Sequence, residues 1–90
     1  MITREDLEGW LIEALQALGG SGKIVDICKH IWSHHEEDLK HSGDLFYTWQ
    51  YDVRWAAKRL RERKIMRSVE ESPKHLWELT PSSASKSAGL

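Results

Sequence analysis

The stretch Thr48–Thr80, TWQYDVRWAAKRLRERKIMRSVEESPKHLWELT, constrains the fold more than any other part of the chain. Trp49, Val53, Ala56, Ala57, Leu60 and Ile65 recur at about three- and four-residue spacing. That spacing is the period of an amphipathic helix with one buried stripe. On a wheel of about 100° per residue, Gln50, Tyr51, Arg54, Lys58 and Arg61 fall on the opposite arc. The sequence then changes period. Ile65–Val69 reads as a strand, Glu70–His75 as a turn, and Leu76–Leu79 as the return strand. Strands this short must pack on the helices to persist.

Upstream, Thr3 is a candidate N-cap, with acidic residues in the turn after it. Leu7, Trp10, Leu11, Ala14, Leu15 and Leu18 form one apolar stripe, and Gly19-Gly20 stops that helix. Ser21–Ile24 is short and extended and suits a minimal strand added to the later pair. A second helix starts near Asp26, with Ile24, Ile27, Cys28, Ile31 and Trp32 facing inward, and ends around His34–Glu37. From His35 to Tyr47 the periodicity fades, and Ser42-Gly43-Asp44 signals a turn. The third helix begins with Thr48 as its candidate N-cap.

This order of elements implies an α+β, mainly α fold: a winged helix-turn-helix of three helices with a small antiparallel wing sheet. Ninety residues allow a single domain with one modest core, here expected over residues 1–81. Residues 82–90 are Ser/Ala-rich and expected to be a disordered tail or the start of a linker.

The net charge is −1, but it is unevenly placed. Residues 1–47 carry four Lys/Arg against nine Asp/Glu, whereas residues 48–69 carry seven Lys/Arg against two Asp/Glu. A basic segment opposed by an acidic remainder can steer a polyanion to one face. A helix that reads DNA needs this division, one face anchored in a core and the other carrying long donors and an amide.

The block Arg54-Trp55-Ala56, Leu60, the basic run Arg61–Lys64 into Ile65, and the closing Leu76-Trp77-Glu78-Leu79-Thr80 resembles the N-terminal winged-helix domain of Mrr-type restriction endonucleases. The resemblance covers roughly thirty residues. It implies double-stranded DNA as partner and a place in a restriction, defence or transcriptional system of bacterial type. It does not extend to cleavage, because the chain has no room for a nuclease domain. The long segment between the second and third helices and the acidic residues Glu70 and Glu71 depart from the family pattern.

The candidate DNA-binding residues are Thr48, Gln50, Tyr51, Arg54, Lys58, Arg61, Arg67 and Lys74. Gln50, Tyr51 and Arg54 lie where a groove-entering helix meets base edges, since Gln can bond adenine twice and Arg guanine twice. Arg54, Lys58, Arg61 and Arg67 are assigned to phosphates, and Lys74 to the wing tip. A solvated helix face would look similar. Arg59, Arg63 and Lys64 lie near the flanks and suit phosphates or pairing with the acidic first helix. Trp55 suits packing against the segment between helices 2 and 3, or contact with a sugar or base. The other reading is a protein-interaction or homodimerisation module built on the same scaffold, using the acidic surface of residues 1–47.

No catalytic constellation stands out, so no enzyme activity and no small-molecule substrate are expected. Gly19-Gly20-Ser21-Gly22-Lys23 lacks P-loop spacing. His30 and His34 are four apart, but no converging cysteine pair completes a zinc site, so no metal or other cofactor is expected. Cys28 is a lone cysteine on the inner stripe and reads as a small buried hydrophobe. One cysteine and no signal peptide fit a cytoplasmic setting. No apolar run approaches the ~18 residues of a membrane span.

Overall fold

A computed structural model describes residues 2–71 and 75–81. The elements in chain order are α1 (Asp6–Ala17), β1 (Ser21–Lys23), α2 (Ile24–Lys40), α3 (Leu45–Glu62) and β2 (Leu76–Glu78). The domain is therefore mainly α: three helices and a two-stranded antiparallel sheet. Among the described residues, no helix is long and apolar enough to cross a membrane.

The core follows the helical periods. Leu7, Leu11, Ala14 and Leu15 of α1, Ile27, Ile31 and Leu39 of α2, and Trp49, Val53, Ala56, Ala57 and Leu60 of α3 are all buried in one cluster. Met66, Trp77 and Leu79 complete it from the C-terminal side. Large apolar side chains contribute roughly 1.5–3 kcal/mol each on full burial, so this cluster dominates the stability of the fold. Leu18, expected on the α1 stripe, lies past the last helical turn and is 39% exposed. Its side chain lies over β1 instead, where a Cβ on Gly22 would come within 2.7 Å of Leu18 Cδ1.

The start of α1 reverses the expected cap. The backbone N–H of Thr3 donates to Asp6 Oδ2 at 2.9 Å, so Asp6 reaches back to Thr3 rather than Thr3 forward. α2 runs on to Lys40, past the expected end. Its backbone leaves helical geometry at His35 (φ −132°, ψ 20°), inside the expected range of termination, and then resumes. The His35 ring stacks on Trp10 at 3.9 Å between centroids and donates from Nε2 to Glu13 Oε1 at 2.8 Å. That anchoring to α1 redirects the last turns of α2 so that Leu39 is buried. The expected long turn over 35–47 thus shrinks to residues 41–44.

Thr48 does not cap α3. Gly43 turns the chain with φ +69°, and the helix opens at Leu45 with i→i−3 bonds from Phe46 to Gly43 and Tyr47 to Asp44. Leu45 packs against the core and the Phe46 ring lies tilted to Trp32 at 6.4 Å between centroids, and the helix begins a turn upstream of the polar signal. The Thr48 hydroxyl instead donates to Asp52 Oδ2 at 2.8 Å.

The sheet differs from the expected hairpin. β1 pairs with β2, with Ser21 opposite Glu78, Gly22 opposite Trp77 and Lys23 opposite Leu76. The expected strand 65–69 is reduced to an isolated bridge between Met66 and Leu79. Met66 of that run is buried in the core, and Ile65 packs against it partly exposed. Val69 is 62% exposed, and the chain turns at once, with Glu71 N–H bonded to Ser68 O. Hydrogen bonds from Arg67 N to Glu78 O and from Thr80 N to Ile65 O still lay residues 65–67 beside the return segment. The tip of the expected turn, with Lys74, and the tail 82–90 lie outside the described residues.

α1 and α3 end in the same backbone motif with different residues at its critical position. Gly20 N–H bonds Leu15 O and Gly19 N–H bonds Gln16 O; Ile65 N–H bonds Leu60 O and Lys64 N–H bonds Arg61 O. Both are Schellman caps, which need a left-handed residue at C′. Gly19 supplies it freely at φ +89°, whereas Lys64 is forced to φ +63°. Replacing Lys64 by Gly is expected to raise stability by about 0.5–1 kcal/mol in urea denaturation, by relieving the Cβ strain. A destabilised Lys64→Gly would show that the lysine side chain contributes more than its backbone strain costs.

Candidate nucleic-acid interface

Packing fixes which side chains of α3 meet solvent. Burying Trp49, Val53, Ala56, Ala57 and Leu60 turns Tyr47, Gln50, Tyr51, Arg54 and Lys58 outward, all of them exposed. Tyr47 and Tyr51 are 83% and 76% exposed, an unusual state for large aromatic rings.

The basic residues of α3 then sort by partner. Arg59 Nε and Arg63 Nη1 each lie 3.0 Å from a different carboxylate oxygen of Glu8 on α1. The Glu8 side chain is nearly buried, and its single charge is shared between the two guanidiniums, which pairs them with α1 and leaves one net positive charge in the trio. Arg54 and Lys58 have no ion pair or hydrogen bond among the described residues.

Arg61 departs from its expected place on the exposed arc. It is half-buried, with its guanidinium carbon 5.5 Å from the centre of the Trp77 ring. Burial pulls its pKa below the usual arginine value, and its Nε has no hydrogen-bond partner among the described residues. A helical wheel could not foresee this, because Trp77 returns to α3 from β2. Arg67 lies after the α3 cap, where its backbone bonds β2.

Tyr51, Arg54 and Lys58 come together with Arg4, Asp52 and Trp55 around a cleft of about 400 Å³ between the start of α1 and the middle of α3. The Arg4 guanidinium carbon lies 4.1 Å from the Trp55 ring centre, and that of Arg59 lies 5.2 Å away. Trp55 therefore packs towards α1, not against the segment between α2 and α3. Arg4 was not foreseen as part of this surface. It precedes α1, and nothing in the local pattern ties it to a tryptophan so far along the chain.

Gln50 faces the other flank of α3. It borders a largely apolar groove of about 730 Å³ between α2 and α3, with Trp32, Phe46 and Cys28 in its walls. Cys28 is only half-buried there; burial pushes its thiol pKa up, and the Arg54 charge opposes that shift. The histidine pair of α2 is self-satisfied in part: the rings of His30 and His34 stack at 4.0 Å, and His34 Nδ1 donates to His30 O at 2.9 Å. Among the described residues no group of three or more His, Cys, Asp or Glu side chains could hold a metal ion.

Two residues on one helix should respond differently to charge reversal. Arg61→Glu is expected to lower stability by about 1–3 kcal/mol in thermal or urea unfolding, because it puts a carboxylate against Trp77 in a half-buried site. Lys58→Glu, fully on the solvent side, should stay within about 0.5 kcal/mol of the parent. Equal stability of the two variants would contradict the placement of Arg61.

Comparison with known proteins leaves the geometry to carry the reading, since no family model, no curated protein and no solved structure matches the chain.

Proposed function

We propose that the chain is a duplex-DNA-binding domain of winged-helix type, with α3 entering the major groove. The observation that carries this reading is the sorting of cations on α3. Arg59 and Arg63 share the Glu8 carboxylate, while Arg54 and Lys58 have no ion pair among the described residues and lie on the same exposed face as Gln50 and Tyr51. Unpaired long cations beside an amide and a phenol supply both phosphate contact and base-edge hydrogen bonding. Thr48 and Gln50 lie in the first half of the helix, the end that approaches base edges in helix-turn-helix docking. Residues 65–67, held beside β2, take the place of a shortened wing, and Arg67 would meet backbone there; Lys74, the other cation assigned to the wing, lies outside the described residues. The resemblance to restriction-linked winged helices favours a role in a restriction, defence or transcriptional system.

A second reading is a protein-interaction module. The observation in its favour is the apolar groove between α2 and α3, beside which Val25 is exposed. Salt separates the two. Titration onto a fluorescent duplex of about 20 bp should give affinity that falls with salt at a logarithmic slope of roughly −3 to −4, about −0.9 for each phosphate contacted. Arg54→Glu and Lys58→Glu should each weaken binding at least tenfold while leaving the fold intact, because each converts an attraction to the backbone into a repulsion. Absence of binding at about 50 mM salt, where phosphate contacts are strong, would leave the interaction module as the surviving reading.

A further inference from the structure

The exposed face of α3 has two flanks, and they differ in charge. On the α2 side, Gln50 borders an apolar groove with one cation, Lys29, in its lining. On the α1 side, the cleft gathers Arg4, Arg54 and Lys58 against a single carboxylate, Asp52, which already accepts the Thr48 hydroxyl at 2.8 Å. The cleft on the α1 flank is thus the more basic of the two, with Glu5 and Asp6, the exposed neighbours of Arg4, outside its lining.

Arg4 is the member of this group that α3 does not itself provide. Two guanidiniums lie near Trp55, but they are not equivalent. Arg59 is committed to Glu8 at 3.0 Å, whereas Arg4 forms no ion pair among the described residues. Glu8 offsets one of the two positive charges of Arg59 and Arg63, so Arg4 is the guanidinium at Trp55 with no carboxylate partner among the described residues. A guanidinium over an aromatic ring spends its face on the ring and keeps its in-plane N–H edge free. That edge is the fork that bonds phosphate oxygens in pairs. Trp55 also restrains a long side chain that would otherwise have to be ordered on binding.

A helix lying in the major groove has sugar–phosphate ridges along both of its flanks, about 12 Å apart. Residues on its exposed face point at the bases. The ridge beside it is best reached from the neighbouring element, and on this flank that element is the turn before α1. We infer that Arg4, held on Trp55, clamps a backbone phosphate of the duplex bound by α3, with Lys58 sharing the same ridge. The inference rests on the duplex-DNA reading of α3. It adds a second element, the N-terminal turn, to the docking surface, and fixes which flank of α3 meets the closer strand. A phosphate clamp orients the domain without reading sequence, so its contribution is equal on all duplexes.

The test is the salt dependence of duplex binding by the full chain, for the parent, Arg4→Gln and Arg4→Lys, with thermal melting of each. Arg4→Gln should bind more weakly and lose about 0.9 from the magnitude of the logarithmic slope. Between about 50 and 200 mM salt, its affinity should therefore fall roughly 3.5-fold less than the parent's. Arg4→Lys keeps the charge and should keep the parent slope even where affinity drops through loss of the fork. The deficit of Arg4→Gln should be the same on two duplexes of unrelated sequence. An Arg4→Gln slope equal to the parent's, in a parent that binds, overturns the clamp and leaves the reading of α3 standing. A slope that falls equally in Arg4→Lys and Arg4→Gln assigns the effect to structure rather than charge and also overturns it. A parent that does not bind duplex at about 50 mM salt removes the reading of α3 and the clamp with it.

Discussion

The packing of α1 on α3 is the constraint from which the rest of the domain follows. These two helices share the most extensive contact of any pair of elements. Ala56 and Ala57 present almost no side chain at the middle of α3, so Leu7, Leu11 and Leu15 can approach closely. The apolar contact supplies the energy, at roughly 25 cal/mol for each Å² removed from water. Glu8, bridging Arg59 and Arg63, contributes less, since partly exposed ion pairs are usually worth under about 1 kcal/mol. It lies at the rim of the contact. The buried stripe of Trp49, Val53, Ala56, Ala57 and Leu60 is what locks α3 in rotation about its own axis. That rotation decides which side chains lie outside.

The same lock separates structural cations from available ones. The basic excess of residues 48–69 looks uniform along the chain, yet Arg59 and Arg63 share Glu8, Arg61 lies over Trp77, and Arg54 and Lys58 are left in water. The acidic excess of residues 1–47 is likewise partly consumed, with Glu8 held by the two arginines. Charge balance per segment therefore overstates both the positive and the negative surface.

What could be read from residues alone divides along the range of the interactions. The buried stripes of α1 and α3 are legible because an alternation every three or four residues is local; of the residues assigned to the α3 stripe, all but Ile65, which lies past the helix and is partly exposed, are buried. Gly19 marked the end of α1 for the same reason. The end of α3 was harder to read, since its left-handed residue is Lys64 and carries no glycine signal. The start of α3 is misplaced in the sequence reading because Thr48 offers a polar cap, while the packing of Leu45 on the core outweighs it. The kink at His35 depends on Trp10 and Glu13, the tilt of Arg61 on Trp77, and the place of Arg4 on Trp55. Each of those contacts joins distant parts of the chain, and no window of sequence contains both partners.

The sheet shows what such distance implies for how the domain assembles. β1 lies just after the first helix and β2 near the end of the described chain, with Ser21 facing Glu78. Closing a flexible loop of that length early in folding would cost entropy before many contacts repay it, though each doubling of length adds only about 0.6 kcal/mol. Helices α2 and α3 lie inside that loop, and once packed they bring its ends together. The two short strands are then a latch fastened by the bundle rather than a nucleus that builds it. Contacts made late in this sense act mainly on the rate of opening. The pairing of Gly22 with Trp77 thus governs how long the native bundle lasts more than how fast it forms.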